Sequence, residues 1–362
     1  MNEFVALIIA LSVSFFNGAN DNFKGFATVW GSKTLNYRSA LILATLATIA
    51  GSLASMWIAE ALIKSFTGKG IVPDGIAASP DFILSVAVGA SLTIALATKY
   101  GLPISTTHAL IGGLVGSGLA YPNGAFNVSP LIKTFLLPLL LSPIAAAFLT
   151  MFLARWVERS RKLPDCACIA DESQPYPLEN GALVRSPYAV PTVVLARAEE
   201  CASTPELKEN ILPAALDKAH IGSAMAICFS RGVNDTPKLA ALAISVHGLG
   251  ESNAIILIAL AMGIGGVIYS YRVAKTMSQK IVQIDHKNGF VANLVTAFLV
   301  LFASKLGFPV STTHVAVGAI SGIGLSGNAI VDKSAIRNIL ISWVATLPLS
   351  MAVSYLFEMT IS

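Results

Sequence analysis

Gly101-Leu-Pro-Ile-Ser105-Thr106-Thr107-His108 and Gly307-Phe-Pro-Val-Ser311-Thr312-Thr313-His314 are two renderings of one phrase. Extended through Leu119 and Leu325, the copies span 19 residues and share ten, including Gly112/Gly318, Gly116/Gly322 and Gly118/Gly324. A second phrase also recurs: Asn20-Asp21-x-x-Lys24 returns as Asn234-Asp235-x-x-Lys238. Both pairs keep the same order at similar separations, so the chain reads as two copies of one unit. Repeated halves carrying polar, Gly/Pro-interrupted apolar segments at matching places point to a secondary transporter with its site between the halves.

Composition leads to the same class. Hydrophobic residues make up 54% of the 362-residue chain, charged residues only 12%, and the mean hydropathy is +0.70. Soluble domains carry roughly 25% charge, and a soluble chain this poor in charge could not cover its surface. The net charge of +4 is small, its placement matters more than its size, and no nucleic-acid partner is expected. Runs of about 20 apolar residues are therefore the unit to count. They fall near 4–16, 39–63, 82–98, 103–120, 131–154, 218–246, 253–271, 290–304, 309–326 and 336–358. The first run lacks a basic flank and a cleavage signal, so it reads as a membrane helix rather than a leader.

Basic residues set the orientation. Lys33 and Arg38 follow the first run, Arg155, Arg159, Arg161 and Lys162 the fifth, and Arg272, Lys275, Lys280 and Lys287 the seventh. These ends are expected in the cytoplasm, and the uncharged loop 121–130 and both termini outside, although Lys64, Lys69 and Lys305 run against the rule. The short pair 82–98 and 103–120 either spans or forms a re-entrant hairpin. Either choice leaves an odd number of crossings per half and so an inverted second half. The expected fold is an all-α polytopic membrane protein of two inverted-topology repeats, with broken helices or re-entrant hairpins and about 10–12 membrane segments. Residues 1–154 form the first repeat, 155–213 a cytoplasmic, loosely ordered, Pro-rich linker, and 214–362 the second repeat. Cys166-Ala-Cys168 and Cys201 lie in the linker without the partner spacing of a metal site, so reduced thiols are expected.

The repeated polar residues carry the chemistry. A carboxylate within the membrane is costly unless paired or solvated, and Asp21 and Asp235 recur at equivalent places. Gly18 and Gly232 precede the Asn-Asp pairs and Pro237 should break the second helix. Unwound carbonyls together with the oxygens of Asn20, Asp21, Asn234 and Asp235 would suit a hard cation such as sodium. The bland alternative is a buried Asp–Lys pair three residues apart on a helix, giving Lys24 and Lys238 a neutralising role; a third reading has both lysines snorkelling to headgroups.

In the Ser-Thr-Thr phrases, Pro and Gly interrupt the helix and Ser favours a helix start. The backbone N–H groups of the following small-residue helix, with the hydroxyls of Ser105, Thr106, Thr107, Ser311, Thr312 and Thr313, would form a receptacle for a tetrahedral oxyanion. Ordinary capping is the competing reading. His108, His314 and Arg231 are candidate anion or proton contacts, and Arg231 has no charged counterpart in the first half, where Asn17 stands.

At these residues the chain resembles the inorganic phosphate transporter (PiT) family, whose duplicated signature pairs Gly-x-Asn-Asp-Val-Ala-Asn with a later Pro-x-Ser-Thr-Thr-His-like element. Gly18-Ala-Asn20-Asp21 and Gly232-Val-Asn234-Asp235 match the first element, and the two Ser-Thr-Thr phrases match the second. The resemblance covers nearly the whole chain outside the linker. It implies a multi-pass carrier of the cell membrane that moves inorganic phosphate by alternating access, coupled to sodium or a proton. The Asn-Asp elements would line cation sites and the Ser-Thr-Thr elements would bind phosphate. No cofactor is implied beyond sodium as co-substrate; the partners are the oxyanion, the coupling cation, the lipid bilayer and a homodimeric second copy. One departure stands out: Asn22-Phe23-Lys24 and Thr236-Pro237-Lys238 replace Val-Ala-Asn, putting an ammonium where a cation-binding amide is implied. A sulfate or other oxyanion permease is the alternative, and an intramembrane hydrolase using the histidines and carboxylates a remote one.

Overall fold

The computed structural model describes residues 3–66, 70–77, 79–121, 127–159, 166–170, 175–177, 183–185, 192–196, 207–210, 212–244, 249–279, 286–327 and 332–361. Lys69, Lys280, Cys201 and the centre of the 121–130 loop lie outside the described residues. The chain divides into two compact units, residues 1–154 with 220–362, and residues 155–219.

The larger unit is helical. Its elements are α1 (Glu3–Asp21), a short 3-10 turn (Lys24–Phe26), α2 (Ala27–Gly31), α3 (Tyr37–Ile58), α4 (Glu60–Ser65), α5 (Asp74–Ala77), α6 (Pro80–Lys99), α7 (Thr106–Ala120) and α8 (Val128–Arg159). The second half continues with α9 (Leu212–Ile244), α10 (Glu251–Tyr269), α11 (Tyr271–Gln279), α12 (His286–Lys305), α13 (Thr312–Ser326) and α14 (Lys333–Ile361). Among the described residues, six helices are long and apolar enough to cross a membrane: α3, α6, α8, α10, α12 and α14. They fall three to a half in matching order. Their outward faces form an apolar belt, with Trp57 81%, Val344 76% and Phe152 66% exposed, as lipid contact requires. α7 and α13 have 15 residues each, about 22 Å at 1.5 Å per residue and short of a roughly 30 Å hydrocarbon layer.

Small residues decide which helices touch. A side chain at Gly18 would strike the Met262 carbonyl, and one at Gly232 the Thr48 carbonyl; Gly265 lies against Phe15 and Gly51 against Phe229. Thus α1 packs on α10, and α9 on α3, through equivalent glycines of opposite halves. Gly112 and Gly116 likewise seat α7 against Leu347 and Met351 of α14, while Gly318 and Gly322 seat α13 against Pro143 and Ala147 of α8. Close backbone approach at small residues is how membrane helices associate without a hydrophobic drive. The main apolar core joins both halves, running from Phe82, Leu110 and Ile111 to Leu239, Ile255 and Met262.

Two sequence expectations need correction. Pro237 does not break its helix: α9 runs 33 residues with Pro237 inside. Proline removes one N–H from the ladder, but Val233 and Leu239–Ala243 are packed in the core, and neighbouring helices hold the segment together. The linker is also not wholly irregular. β1 (Cys166–Ala170), β2 (Pro175–Pro177), β3 (Leu183–Arg185), β4 (Thr192–Ala196) and β5 (Leu207–Asn210) pair antiparallel in two sheets, ordered β4-β1-β5 and β2-β3. The β-branched run Thr-Val-Val in β4 and the apolar Cys-Ala-Cys-Ile-Ala of β1 suit a pleated surface better than proline content alone suggests.

Candidate functional site

Gly101 and Gly307 set the site in place. Both adopt positive φ, 68° and 77°, and close the C-termini of α6 and α12. Gly101 N bonds Thr98 O and Leu102 N bonds Ala97 O; Gly307 N bonds Ser304 O and Phe308 N bonds Ala303 O. This double bond around a left-handed residue is a Schellman stop, and it turns each chain into an extended segment leading to Ser105 or Ser311. There each Ser caps the next helix: Ser105 Oγ accepts from His108 N at 3.2 Å and Ser311 Oγ from His314 N at 3.3 Å.

The Asn-Asp phrases lie against these extended segments. Asn20 donates to Thr98 Oγ1 and Leu102 O, both at 3.0 Å, and accepts from Ile104 N at 3.2 Å. Asn234 donates to Val310 O at 3.1 Å and to Asp235, and accepts from Ser304 Oγ at 3.2 Å. Both amides therefore hold backbone in position.

The lysines are buried, 5% and 1% exposed, which removes the snorkelling reading. Lys24 Nζ donates to its partner Asp21, to Ile104 O at 2.8 Å and to Thr313 Oγ1 at 2.6 Å. Lys238 Nζ donates to Asp235 Oδ1 at 3.4 Å, Val310 O at 2.7 Å and Thr107 Oγ1 at 2.9 Å. Thr107 in turn donates to Val310 O, and Thr313 to Ile104 O. The two Ser-Thr-Thr elements thus face each other, each threonine bonding the opposite element's backbone. A lysine completes each crossing.

Asn17 joins the halves. Its amide nitrogen lies 2.8 Å from Thr106 Oγ1 and 3.4 Å from Oδ2 of both Asp21 and Asp235. Its counterpart Arg231 is 1% exposed, within electrostatic reach of Asp21 and Lys24, and among the described residues none of its three guanidinium nitrogens has a hydrogen-bond partner. The cluster holds three cations against two carboxylates, leaving one positive charge in excess on a group with five free donors. Buried charge of that kind suits an anion.

His108 and His314 come together elsewhere. Their ring centroids are 4.5 Å apart, His314 stacks on Trp343 at 3.7 Å, and both line an apolar cavity of about 790 Å³ with Leu139, Pro143 and Leu340. Among the described residues His108 Nδ1 and His314 Nε2 have no hydrogen-bond partner, and no group of three His, Cys, Asp or Glu could hold a metal. Sequence reasoning missed the bridging role of Asn17 and the Thr98/Ser304 pair. Reading the repeat upstream, Thr98-Lys-Tyr-Gly against Ser304-Lys-Leu-Gly, would have found the latter.

Broken apolar helices around a buried charged site define a multi-pass membrane transporter. Residues 17–354 match the phosphate transporter family, and the chain belongs to it. A protein described as a phosphate permease in Pyrococcus horikoshii is 27% identical, with 96% of this chain and 94% of the relative aligned. The Arabidopsis thaliana inorganic phosphate transporter 2-1, chloroplastic, is 27% identical over 98% of this chain and 71% of its own length. A Bacillus subtilis protein described as a low-affinity inorganic phosphate transporter is 28% identical over 95% and 92%. The solved structure of a sodium-dependent phosphate transporter shares the fold, with a TM-score of 0.76, 22% identity and 99% and 98% of the two chains covered. These relatives are transporters or permeases, which sets the hydrolase reading aside.

Proposed function

We propose that this chain is a secondary active transporter that carries inorganic phosphate across the cell membrane by alternating access, with one oxyanion bound between two inverted repeats and a coupled cation, sodium or a proton, supplying the energy. The observation that carries this reading is Arg231, a buried guanidinium with no hydrogen-bond partner among the described residues, within electrostatic reach of Asp21 and of Lys24, the lysine that bonds Thr313 of one Ser-Thr-Thr element. The N-termini of α7 and α13 add backbone N–H groups and their positive dipole ends.

The repeat-swapped contacts support the inverted architecture: Gly18 to Met262 and Gly232 to Thr48, Lys24 to Thr313 and Lys238 to Thr107. Such exchange is what a pseudo-two-fold axis through the site produces. Alternating access then takes the form of one repeat rocking against the other around the anion. With residues 155–213 as the cytoplasmic linker and 1–154 and 214–362 as the repeats, the termini and the 121–130 loop lie outside.

Phosphate is favoured over sulfate by the carboxylates. Among the described residues Asp235 Oδ2 has only the long 3.4 Å contact with Asn17, so it can accept a hydrogen bond from a protonated phosphate oxygen. Sulfate at neutral pH has no proton to offer and would set oxygen against oxygen. The test is uptake of radiolabelled phosphate by proteoliposomes, with sulfate as competitor. Saturable phosphate uptake that equimolar sulfate leaves largely intact supports the reading; preferential sulfate uptake replaces it with the sulfate permease.

A further inference from the structure

We propose that the two cation positions of this carrier are filled by its own Lys24 and Lys238 ammonium groups, so that it binds no sodium and moves its oxyanion without a sodium gradient. This rests on the oxyanion-carrier reading above and concerns what balances the charge there.

Around each Nζ the chain assembles oxygens of the kinds that hold hard cations: a carboxylate, a backbone carbonyl and a hydroxyl. For Lys24 these are Asp21, Ile104 O and Thr313 Oγ1; for Lys238 they are Asp235, Val310 O and Thr107 Oγ1. Three ligands from three different segments, drawn from both halves, meet at a point that an ammonium occupies. An ammonium has three donors and no acceptor, so each lysine spends all of its donors here and has none left for the substrate.

Sodium does not fit alongside. The separations of 2.6–2.9 Å to the carbonyl and hydroxyl oxygens are those of N–H···O bonds, with Asp235 Oδ1 at a longer 3.4 Å from Lys238, and the lysines are 5% and 1% exposed. A metal ion would have to expel a tethered group of the same charge from the same oxygens. The neighbouring amides, Asn20 and Asn234, are spent on Thr98, Leu102, Ile104, Val310 and Ser304. Being covalently held, an ammonium stays with the protein through the transport cycle and conveys no gradient. It neutralises its aspartate and leaves Arg231 as the charge the anion sees.

The test has two independent arms. In the first, purified wild-type protein is assayed for binding of radioactive sodium, and the Lys24→Asn/Lys238→Asn double variant is compared after a check for monodispersity. No saturable sodium binding by the wild type is expected. The variant should gain a sodium-dependent rise in thermal stability, because a ligand that binds only the native state stabilises it. In the second arm, phosphate uptake is measured with N-methylglucamine replacing sodium on both sides, under an imposed proton gradient or against internal phosphate. The rate should change by less than about twofold, since a ligand without differential binding shifts nothing. Saturable sodium binding by the wild type, strict dependence of uptake on sodium, or a monodisperse variant indifferent to sodium overturns the proposal. Absence of phosphate uptake under every ionic condition sinks the carrier reading instead, and the binding arm still decides this one.

Discussion

The ammonium of Lys24 donates to the hydroxyl of Thr313 at 2.6 Å, across 289 residues of chain, and Lys238 repeats the contact on Thr107 at 2.9 Å. Each half therefore supplies the cation that fixes the other half's helix start. Neither Ser-Thr-Thr element is complete without the opposite repeat. Substitutions at these crossings should show up in stability and in anion binding together.

Removing one partner of a buried ion pair strands the other charge. Asp21→Asn should destabilise the detergent-solubilised protein by roughly 3–5 kcal/mol, and Asp21→Asn with Lys24→Met should recover most of that loss. Thermal unfolding of the two single variants and the double variant gives the coupling directly. Additive losses would mean that the pair does not interact.

Arg231 behaves oppositely, because its charge is already unpaired. Arg231→Met should leave the melting temperature unchanged or raise it, while weakening phosphate binding by roughly tenfold to a hundredfold, the loss of a charge-assisted bond worth about 1.5–3 kcal/mol. Isothermal titration and a thermal melt on the same preparation separate the two effects. A large fall in stability with unaltered affinity would return Arg231 to a structural role.

Ser105 and Ser311 are both caps and candidate anion donors. Ser→Ala at either site should cost about 1 kcal/mol of stability. Ser→Asn keeps a capping acceptor and should restore much of it. If phosphate affinity falls in the Ala variants and stays low in the Asn variants, the hydroxyl touches the anion; recovery of affinity along with stability leaves capping alone.

Asp235→Asn tests the basis of selectivity. An amide in place of the carboxylate presents a donor where a protonated phosphate oxygen would donate, so sulfate should compete several-fold better against phosphate in the variant. An unchanged phosphate-to-sulfate ratio would place discrimination elsewhere.

Orientation is open to a labelling test at the two ends of α8. Single cysteines at Asn127 and Arg159, in a background without native cysteines, should react oppositely with a membrane-impermeant reagent applied outside, Asn127 labelled and Arg159 protected. The reverse pattern inverts the topology assigned here.

Much of the fold was legible because the repeat writes each key position twice. The broken segments before Ser105 and Ser311, and the apolar runs at α3, α6, α8, α10, α12 and α14, follow from composition and from the Gly101 and Gly307 signals. Pro237 misled, since whether proline breaks a helix depends on neighbours packed around Val233 and Leu242 that no local pattern reveals. The linker strands were hidden by proline-rich punctuation. In the site, the Asp–Lys pairs could be read from a spacing of three, but their third and fourth partners could not: Ile104 O and Val310 O are backbone atoms brought in by tertiary packing. The paired His108 and His314 rings show the converse. Two residues adjoining the Ser-Thr-Thr phrase turn into an apolar cavity, away from the bonds their neighbours make.

The central claim is that phosphate crosses by a carrier whose single site faces one side at a time. Counterflow tests it most directly. Proteoliposomes are loaded with unlabelled phosphate and diluted into a trace of labelled phosphate, with no ion gradient imposed. An alternating-access carrier predicts that the label accumulates transiently above its equilibrium level and that accumulation is lost in Arg231→Met. Monotonic equilibration without overshoot, at a rate indifferent to internal phosphate, would contradict the account and describe a channel.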